Sequence, residues 1–368
     1  MIQKITIEQF LEMSRQYPVL DVRSPGEYLH AHIPGAYSLP LFTDEERKVV
    51  GTAYKQQSRQ TAIKIGLDYF GIKMRKMVEE VEGICNKELG ISKDATNSKS
   101  QIPNSQEVLV HCWRGGMRSA GVAWLLDLYG FKVYTLAGGY KAYRKWVRDQ
   151  FEKSYDLTVL GGYTGSGKTA VLHQLQKKDW PIVDLEGLAH HKGSAFGALG
   201  EPKQPTQEMF ENLLAQELNK LERLLKVKIF IEDESQRIGL LKIPDPFWAA
   251  MRNSTICFLE IPFEERLDYL TAEYGKFEKE QLVNAIIRIQ KRLGGLETKT
   301  AIGYLLDDNH KECFRILLKY YDKWYTKGLF NRDKVTDLLN KISCNNIDVD
   351  NITKLVIGQI QKSTTTAY

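Results

Sequence analysis

The segment Gly161-Gly-Tyr-Thr-Gly-Ser-Gly-Lys-Thr169 constrains the fold of this chain more than any other stretch. It follows an apolar run, Leu157-Thr-Val-Leu160, and precedes a helical pattern, Ala170–Lys178. Gly162-x4-Gly167-Lys168-Thr169 is therefore a phosphate loop in the strand–loop–helix setting the motif requires. Glycines let the backbone wrap phosphate oxygens, and the loop amides and the helix dipole converge on the same point. On this reading Gly162, Thr164, Gly165, Ser166, Gly167, Lys168 and Thr169 bind a di- or triphosphate. Lys168 reaches the terminal phosphates and the Thr169 hydroxyl faces Mg2+. The motif specifies a diphosphate site and leaves the reaction open.

The surrounding segment, 151–275, alternates strands with helices, as a parallel sheet demands. Further strands are Pro181–Asp184, Val227–Ile231 and Thr255–Ile261, and a long helix covers Gln207–Leu225. Glu232, Asp233 and Glu234 follow the very apolar Val227–Ile231 run. Carboxylates at the C-terminal end of a parallel strand face the ligand crevice, which makes Glu232 or Asp233 the partner carboxylate of the phosphate loop; the alternative is a helix cap. The polar loop Asp184–Gly197 offers Asp184, Glu186, His191 and Ser194 to a second substrate or to Mg2+. His190 and His191 are adjacent and point apart, which argues against a metal pair.

From about residue 276 the strands stop. The remainder, 276–368, reads as mainly helical, with cations and aromatics interleaved. Arg288, Lys291 and Arg292 precede Gly294-Gly295. They read either as a solvated helix face with a glycine cap or as contacts to an RNA backbone, with aromatics nearby for base stacking.

The first region, 1–150, carries a second anion-binding pattern. Val108-Leu-Val-His-Cys-Trp-Arg-Gly-Gly-Met-Arg-Ser119 delivers a lone cysteine, Cys112, from an apolar strand to a glycine-containing loop before a helix at Ser119–Tyr129. Amides of Trp113, Arg114, Gly115, Gly116 and Met117, with the Arg118 guanidinium, form an anion loop that lowers a thiol pKa. Such a loop suits covalent catalysis by a thiolate. Sulfur or selenium transfer and phosphate-ester chemistry share this geometry. Asp21-Val-Arg-Ser-Pro-Gly-Glu-Tyr28, His32-Ile-Pro-Gly-Ala36 and Ala137-Gly-Gly-Tyr-Lys-Ala-Tyr143 resemble the rhodanese signatures, over about residues 5–148 with an insertion at about 43–106. Five residues separate Cys112 from Arg118, where rhodaneses usually have four, so the loop suits a larger anion. Within the insertion, 43–85 reads as helical and 86–106 as a mobile loop.

Composition narrows the class. Hydrophobic residues make up 43% and charged residues 26% of 368 positions, ordinary for a globular protein, and a net charge of +5 permits a nucleic-acid partner. Five scattered cysteines show neither metal spacing nor a disulfide framework, so no zinc is expected, nor haem or flavin, and a reduced, cytoplasmic setting fits. The first residues do not read as a signal peptide. No stretch is apolar enough to span a membrane, and the last residues, Lys362–Tyr368, read as a frayed tail.

A rhodanese-like α/β domain fused to a P-loop NTPase-like α/β domain and a mainly helical C-terminal region resembles the tRNA 2-selenouridine synthase family. The motifs carrying the likeness are His111–Ser119, Gly161–Thr169, Asp184–Gly197 and Glu232–Gly239. The resemblance implies a transferase acting on 2-thiouridine at the tRNA wobble position. It further implies selenophosphate as selenium donor and geranyl diphosphate as alkyl donor. Cys112 and its loop would bind selenophosphate, and the P-loop would hold the geranyl diphosphate. The alternative is a sulfurtransferase or cysteine phosphatase fused to an NTP-dependent kinase.

Overall fold

The computed structural model describes residues 2–88, 106–222 and 228–365. It forms two compact units, Met1–Asp149 and Gln150–Tyr368. Most of the loop expected at 86–106, the end of the helix expected to reach Leu225, Val227 and the last three residues lie outside the described residues.

The first unit opens with β1 (Ile2–Ile5), α1 (Ile7–Met13), β2 (Val19–Asp21), α2 (Pro25–His30) and β3 (Tyr37–Ser38). α1 starts at a Thr6–Gln9 capping box, a device worth about 1 kcal/mol. The insertion folds as α3 (Asp44–Gln56) and α4 (Arg59–Glu88). Then come β4 (Glu107–His111), α5 (Met117–Tyr129), β5 (Lys132–Leu136) and α6 (Gly139–Phe151). The strands form one parallel sheet in the order β1-β5-β4-β2-β3. β4 lies where the winding reverses, so the loop after it opens at the crevice such sheets use for ligands. The insertion belongs to the body of this unit. Phe70, Met77, Val78, Val81 and Cys85 of α4 share one core with Val108 and Val110 of β4 and with Val122 and Leu126 of α5.

In the second unit β6 (Leu157–Gly162) leads into α7 (Lys168–Gln176), followed by β7 (Ile182–Val183), α8 (Leu185–Ala189), α9 (Gln207–Glu222) and β8 (Ile229–Glu232). An antiparallel hairpin, β9 (Arg237–Ile238) and β10 (Leu241–Lys242), precedes α10 (Asp245–Arg252), β11 (Thr255–Glu260) and α11 (Phe263–Tyr274). The chain ends in α12 (Lys279–Leu293), α13 (Gly295–Leu306), α14 (His310–Phe330), α15 (Val335–Leu338), β12 (Leu339–Ser343) and α16 (Val349–Thr365). The sheet is parallel, in the order β12-β11-β6-β8-β7, again with the phosphate-loop strand at the reversal.

Two sequence expectations need correction. Strands do not end at 276: β12 pairs with β11 and completes the sheet. Leu339-Asn-Lys-Ile-Ser343 lacks an apolar run because it is a half-exposed edge, where Lys341 and Ser343 hydrogen-bond Glu260. Nor do the final residues fray throughout, since α16 reaches Thr365. Its Ile352, Val356 and Ile360 share a core with Val171, Leu172 and Leu175 of α7. α11 to α14 bury a second cluster around Leu267, Ile286, Ala301, Phe314 and Leu318. The 276–368 region therefore packs as part of the P-loop unit.

Candidate active sites: a cysteine loop and a phosphate loop

Cys112 follows β4 and is buried, its Sγ 3.2 Å from the Ser119 hydroxyl at the start of α5. Burial alone would raise the thiol pKa. Hydrogen bonds from the Ser119 hydroxyl and from the amides of Ser119 and Gly116, with the Arg118 charge, outweigh it and hold the pKa below its ordinary value. The loop takes its shape from the Ala137-Gly138-Gly139 turn. Tyr140 N–H donates to the Cys112 carbonyl at 2.8 Å and Lys141 N–H to that of Trp113 at 2.9 Å. The N-terminus of α6 thus consumes the loop carbonyls. Gly115 needs a positive φ of 63°, and a Cβ there would meet the Leu136 carbonyl at 2.6 Å.

Asp21 and Arg23 form a wholly buried bidentate pair, with Arg23 Nη2 to Asp21 Oδ2 at 2.6 Å. Arg23 also donates to the Ala31 carbonyl and lies 3.7 Å over the Tyr140 ring. The Asp21-Val-Arg23 signature therefore supports Tyr140, which donates to the cysteine loop. His111 is fully buried with neither ring nitrogen hydrogen-bonded, and burial keeps its pKa down, so it stays neutral. Arg118 differs from the free anion grip expected: its Nη1 donates to Glu27 Oε2 at 2.8 Å. Glu27 also accepts from the Ser24 amide and hydroxyl at 3.1 Å each. Trp113, Arg114, Gly116 and Met117 are exposed along the loop.

The phosphate loop has the backbone the motif predicts. Gly162, Gly165 and Gly167 all have positive φ, and a Cβ on Gly162 would meet Ser166 Oγ at 2.5 Å. Lys168 Nζ donates to the Gly162 carbonyl at 3.0 Å. The Thr169 hydroxyl donates to Glu186 Oε2 at 2.8 Å. Glu186 and Glu234 interact, and the Cα of Gly193 leaves so little room that a Cβ would come 2.6 Å from Glu234 Oε2. Burial, reinforced by the neighbouring carboxylates, pushes the pKa of Glu186 upward and those of Glu232 and Glu234 well upward.

Other expected site residues have structural partners. Asp184 caps α8 through Gly187 N–H at 2.7 Å and accepts from His173 Nε2. Glu232 Oε2 accepts the Leu185 amide at 3.0 Å, while its Oε1 is unpartnered and buried. Asp233 is held by Tyr325 and Arg332, so it is not free for a ligand. His191 is nearly buried; a Cβ on Gly197 or Gly239 would come 2.8 Å from its ring. The Ser194 hydroxyl accepts from Phe196 N–H. Ser194, Phe196, Leu270, Tyr274, Phe314 and Tyr321 line a mostly apolar cavity of about 20 Å³ that reaches Thr164 of the phosphate loop.

Thr169, Glu186 and Glu234 present hard oxygen donors, the set Mg2+ prefers, and burial is the main cause of the raised pKa values of both carboxyls. Among the described residues no group of three or more His, Cys, Asp or Glu forms a metal cluster by itself. Arg288, Lys291 and Arg292 are exposed on α12, and Arg292 approaches the Trp324 ring of α14 at 6.0 Å, with Lys327 at 5.3 Å. Sequence reasoning had no signal for the roles of Glu27, Tyr325 or Arg332, because their partners lie more than ninety positions away along the chain, whereas Ser119 stands seven places from Cys112 within the same motif.

Fold and sites together define a two-unit α/β protein: a rhodanese-type thiol loop in one parallel sheet and a P-loop in the other. A rhodanese-like domain model matches residues 6–145, and the tRNA 2-selenouridine synthase AAA domain model matches 155–342. Relatives named tRNA 2-selenouridine synthase include one from Hydrogenovibrio crunogenus, 34% identical over 84% of this chain and 89% of that relative. One from Bdellovibrio bacteriovorus is 33% identical over 90% and 94%. One from Nitrosomonas europaea is 37% identical over 70% of this chain, a match spanning 63% of the relative. The chain belongs to the tRNA 2-selenouridine synthase family.

Proposed function

We propose that this chain is a tRNA-modifying transferase that converts wobble 2-thiouridine to 2-selenouridine, in the cytoplasm, through an S-geranyl intermediate. The observation that carries the reading is the pairing, in one member of this family, of a thiol held below its ordinary pKa with a complete phosphate loop.

In the first step the thiocarbonyl sulfur attacks C1 of geranyl diphosphate, the C–O bond breaks, and pyrophosphate leaves. Lys168 and the amides of Gly165, Ser166 and Gly167 would take the departing charge. Thr169, Glu186 and Glu234 would hold Mg2+, which supplies further charge neutralisation. An apolar tail suits the cavity beside Thr164, whose present volume is that of roughly one water, so its aromatic walls must part.

In the second step the Cys112 thiolate bonds to C2 as geranylthiol, a far better leaving group than sulfide, departs; the selenium of selenophosphate then displaces the Cys112 thiolate from C2, and water cleaves the P–Se bond to release phosphate. Selenophosphate would bind over the cysteine loop. The amides from Trp113 to Met117 would grip its phosphate, and Arg118 would turn from Glu27 toward it. Cys112 is the nucleophile of this site. The exposed Arg288, Lys291 and Arg292 face, with Trp324, would contact tRNA. The test is mass spectrometry of wobble nucleosides from cells with and without the gene. Selenouridine and S-geranyl-thiouridine should vanish together on deletion; their persistence would refute the assignment.

A further inference from the structure

We propose that Tyr325, held by Asp233 and Arg332, is a positioning residue that fixes the phosphate loop in its ligand-accepting conformation by binding the Gly162 amide. The proposal rests on the reading of that loop as a diphosphate site.

Gly162 is the first glycine of the motif, and both its polar groups are engaged from opposite directions. Its N–H donates to the Tyr325 hydroxyl at 3.0 Å, while its carbonyl accepts from Lys168 Nζ at 3.0 Å. The Tyr325 hydroxyl in turn donates to Asp233 Oδ2 at 2.5 Å, and Arg332 binds the other oxygen of Asp233. The phenol therefore has one place for its proton and one lone pair directed at Gly162. Burial and the Asp233 carboxylate keep it protonated at any working pH. A ligand that draws Lys168 away from the Gly162 carbonyl leaves the Tyr325 hydroxyl still bonded to the Gly162 amide.

The contact is one of three made by a single face of α14. Asp322, Tyr325 and Thr326 stand at i, i+3 and i+4. Thr326 bonds the Tyr163 hydroxyl at 3.3 Å. Asp322 takes both ends of the Arg266 guanidinium at 2.8 Å, and Arg266 donates to the Thr164 carbonyl at 3.1 Å. Gly162, Tyr163 and Thr164 are thus each tied to α14. This also explains why Asp233, at a strand end where a metal ligand is expected, has no free oxygen: it orients Tyr325.

The experiment uses the full chain and inorganic pyrophosphate. Calorimetric titration of Tyr325→Phe, which keeps the ring and removes the hydroxyl, should show affinity about tenfold weaker than wild type, the loss of one hydrogen bond's worth of positioning. Asp233→Asn should weaken binding in the same direction, and the double variant should bind no worse than Tyr325→Phe alone. Amide hydrogen exchange should accelerate at residues 161–165 and stay unchanged over the rest of the unit. Wild-type affinity and exchange in Tyr325→Phe would overturn the proposal. Acceleration spread across the whole unit would mark a merely structural tyrosine and overturn it too. If the wild type itself ignores pyrophosphate, the diphosphate reading fails, and the exchange measurement alone decides the role of Tyr325.

Discussion

Gly139 packs so tightly on Gly115 that a Cβ on Gly139 would overlap the Gly115 amide nitrogen and the Cys112 carbonyl oxygen. The glycine pair in the Ala137-Gly-Gly turn is therefore part of the cysteine loop, although it stands after the next strand in the chain.

Gly139→Ala should displace that loop. Gly139 has φ 59°, a strained region for alanine, costing about 1–3 kcal/mol before any clash. Selenation should fall more than about tenfold and the Cys112 thiolate should form at higher pH. Tritium- or selenium-labelled tRNA assays and ultraviolet thiolate titration check this; unchanged values would refute the packing argument.

Cys112 should titrate apart from the other cysteines. Its pKa lies below the ordinary 9.0, whereas burial pushes Cys85 and Cys257 up to about 11 and Cys313 to about 12. A thiolate wave should appear below pH 9 in the wild type and vanish in Cys112→Ser, which should also abolish selenation. Ser119→Ala removes the leading stabilising hydrogen bond and should move the wave upward.

Lys168→Ala should reduce geranylation by about 10²–10³, the usual scale for removing a group that stabilises developing charge. Chromatography of tRNA digests with geranyl diphosphate as donor reads this directly. Normal geranylation with lost ATP binding would assign the loop to a nucleotide instead.

The contribution of Glu186, Glu232 and Glu234 to the stability of the ligand-free protein should fall as pH rises from about 4.5, the ordinary glutamate value. All three have raised pKa values when folded, so at these sites the folded state binds more protons than the unfolded one, and each rise in pH erodes their contribution until the folded pKa is passed. Glu234→Gln should raise the melting temperature at neutral pH and flatten its pH dependence. A variant less stable than wild type at neutral pH would contradict the sign.

Charge reversal at Arg288 and Arg292 should weaken tRNA binding uniformly and lower the log–log salt slope by about two. Filter binding across a salt series tests this, and an unchanged slope would move the RNA surface off α12.

Much of this was legible in the sequence. Strand–loop–helix junctions announce themselves locally: Leu157–Thr169 and Val108–Ser119 combine an apolar strand, glycines and a helix start within a dozen or so positions. The insertion's helices also followed from composition, though not their place in the core, where Phe70 of α4 meets Gly121 of α5. β12 was missed because an edge strand buries only one face and shows no apolar run.

The chain by itself determined the two α/β units and the place of the cysteine loop and of the phosphate loop at strand–helix junctions, because backbone conformation and spacing are set by neighbours in sequence. Only the tertiary structure decided which charged groups stay free. Arg118 is bound to Glu27 across 91 positions and Asp233 to Arg332 across 99, while Glu186 lies buried against Glu234 and holds the Thr169 hydroxyl. Those outcomes depend on which helices pack over each sheet, and burial makes an ionised side chain take the nearest partner in space, however distant it is along the chain.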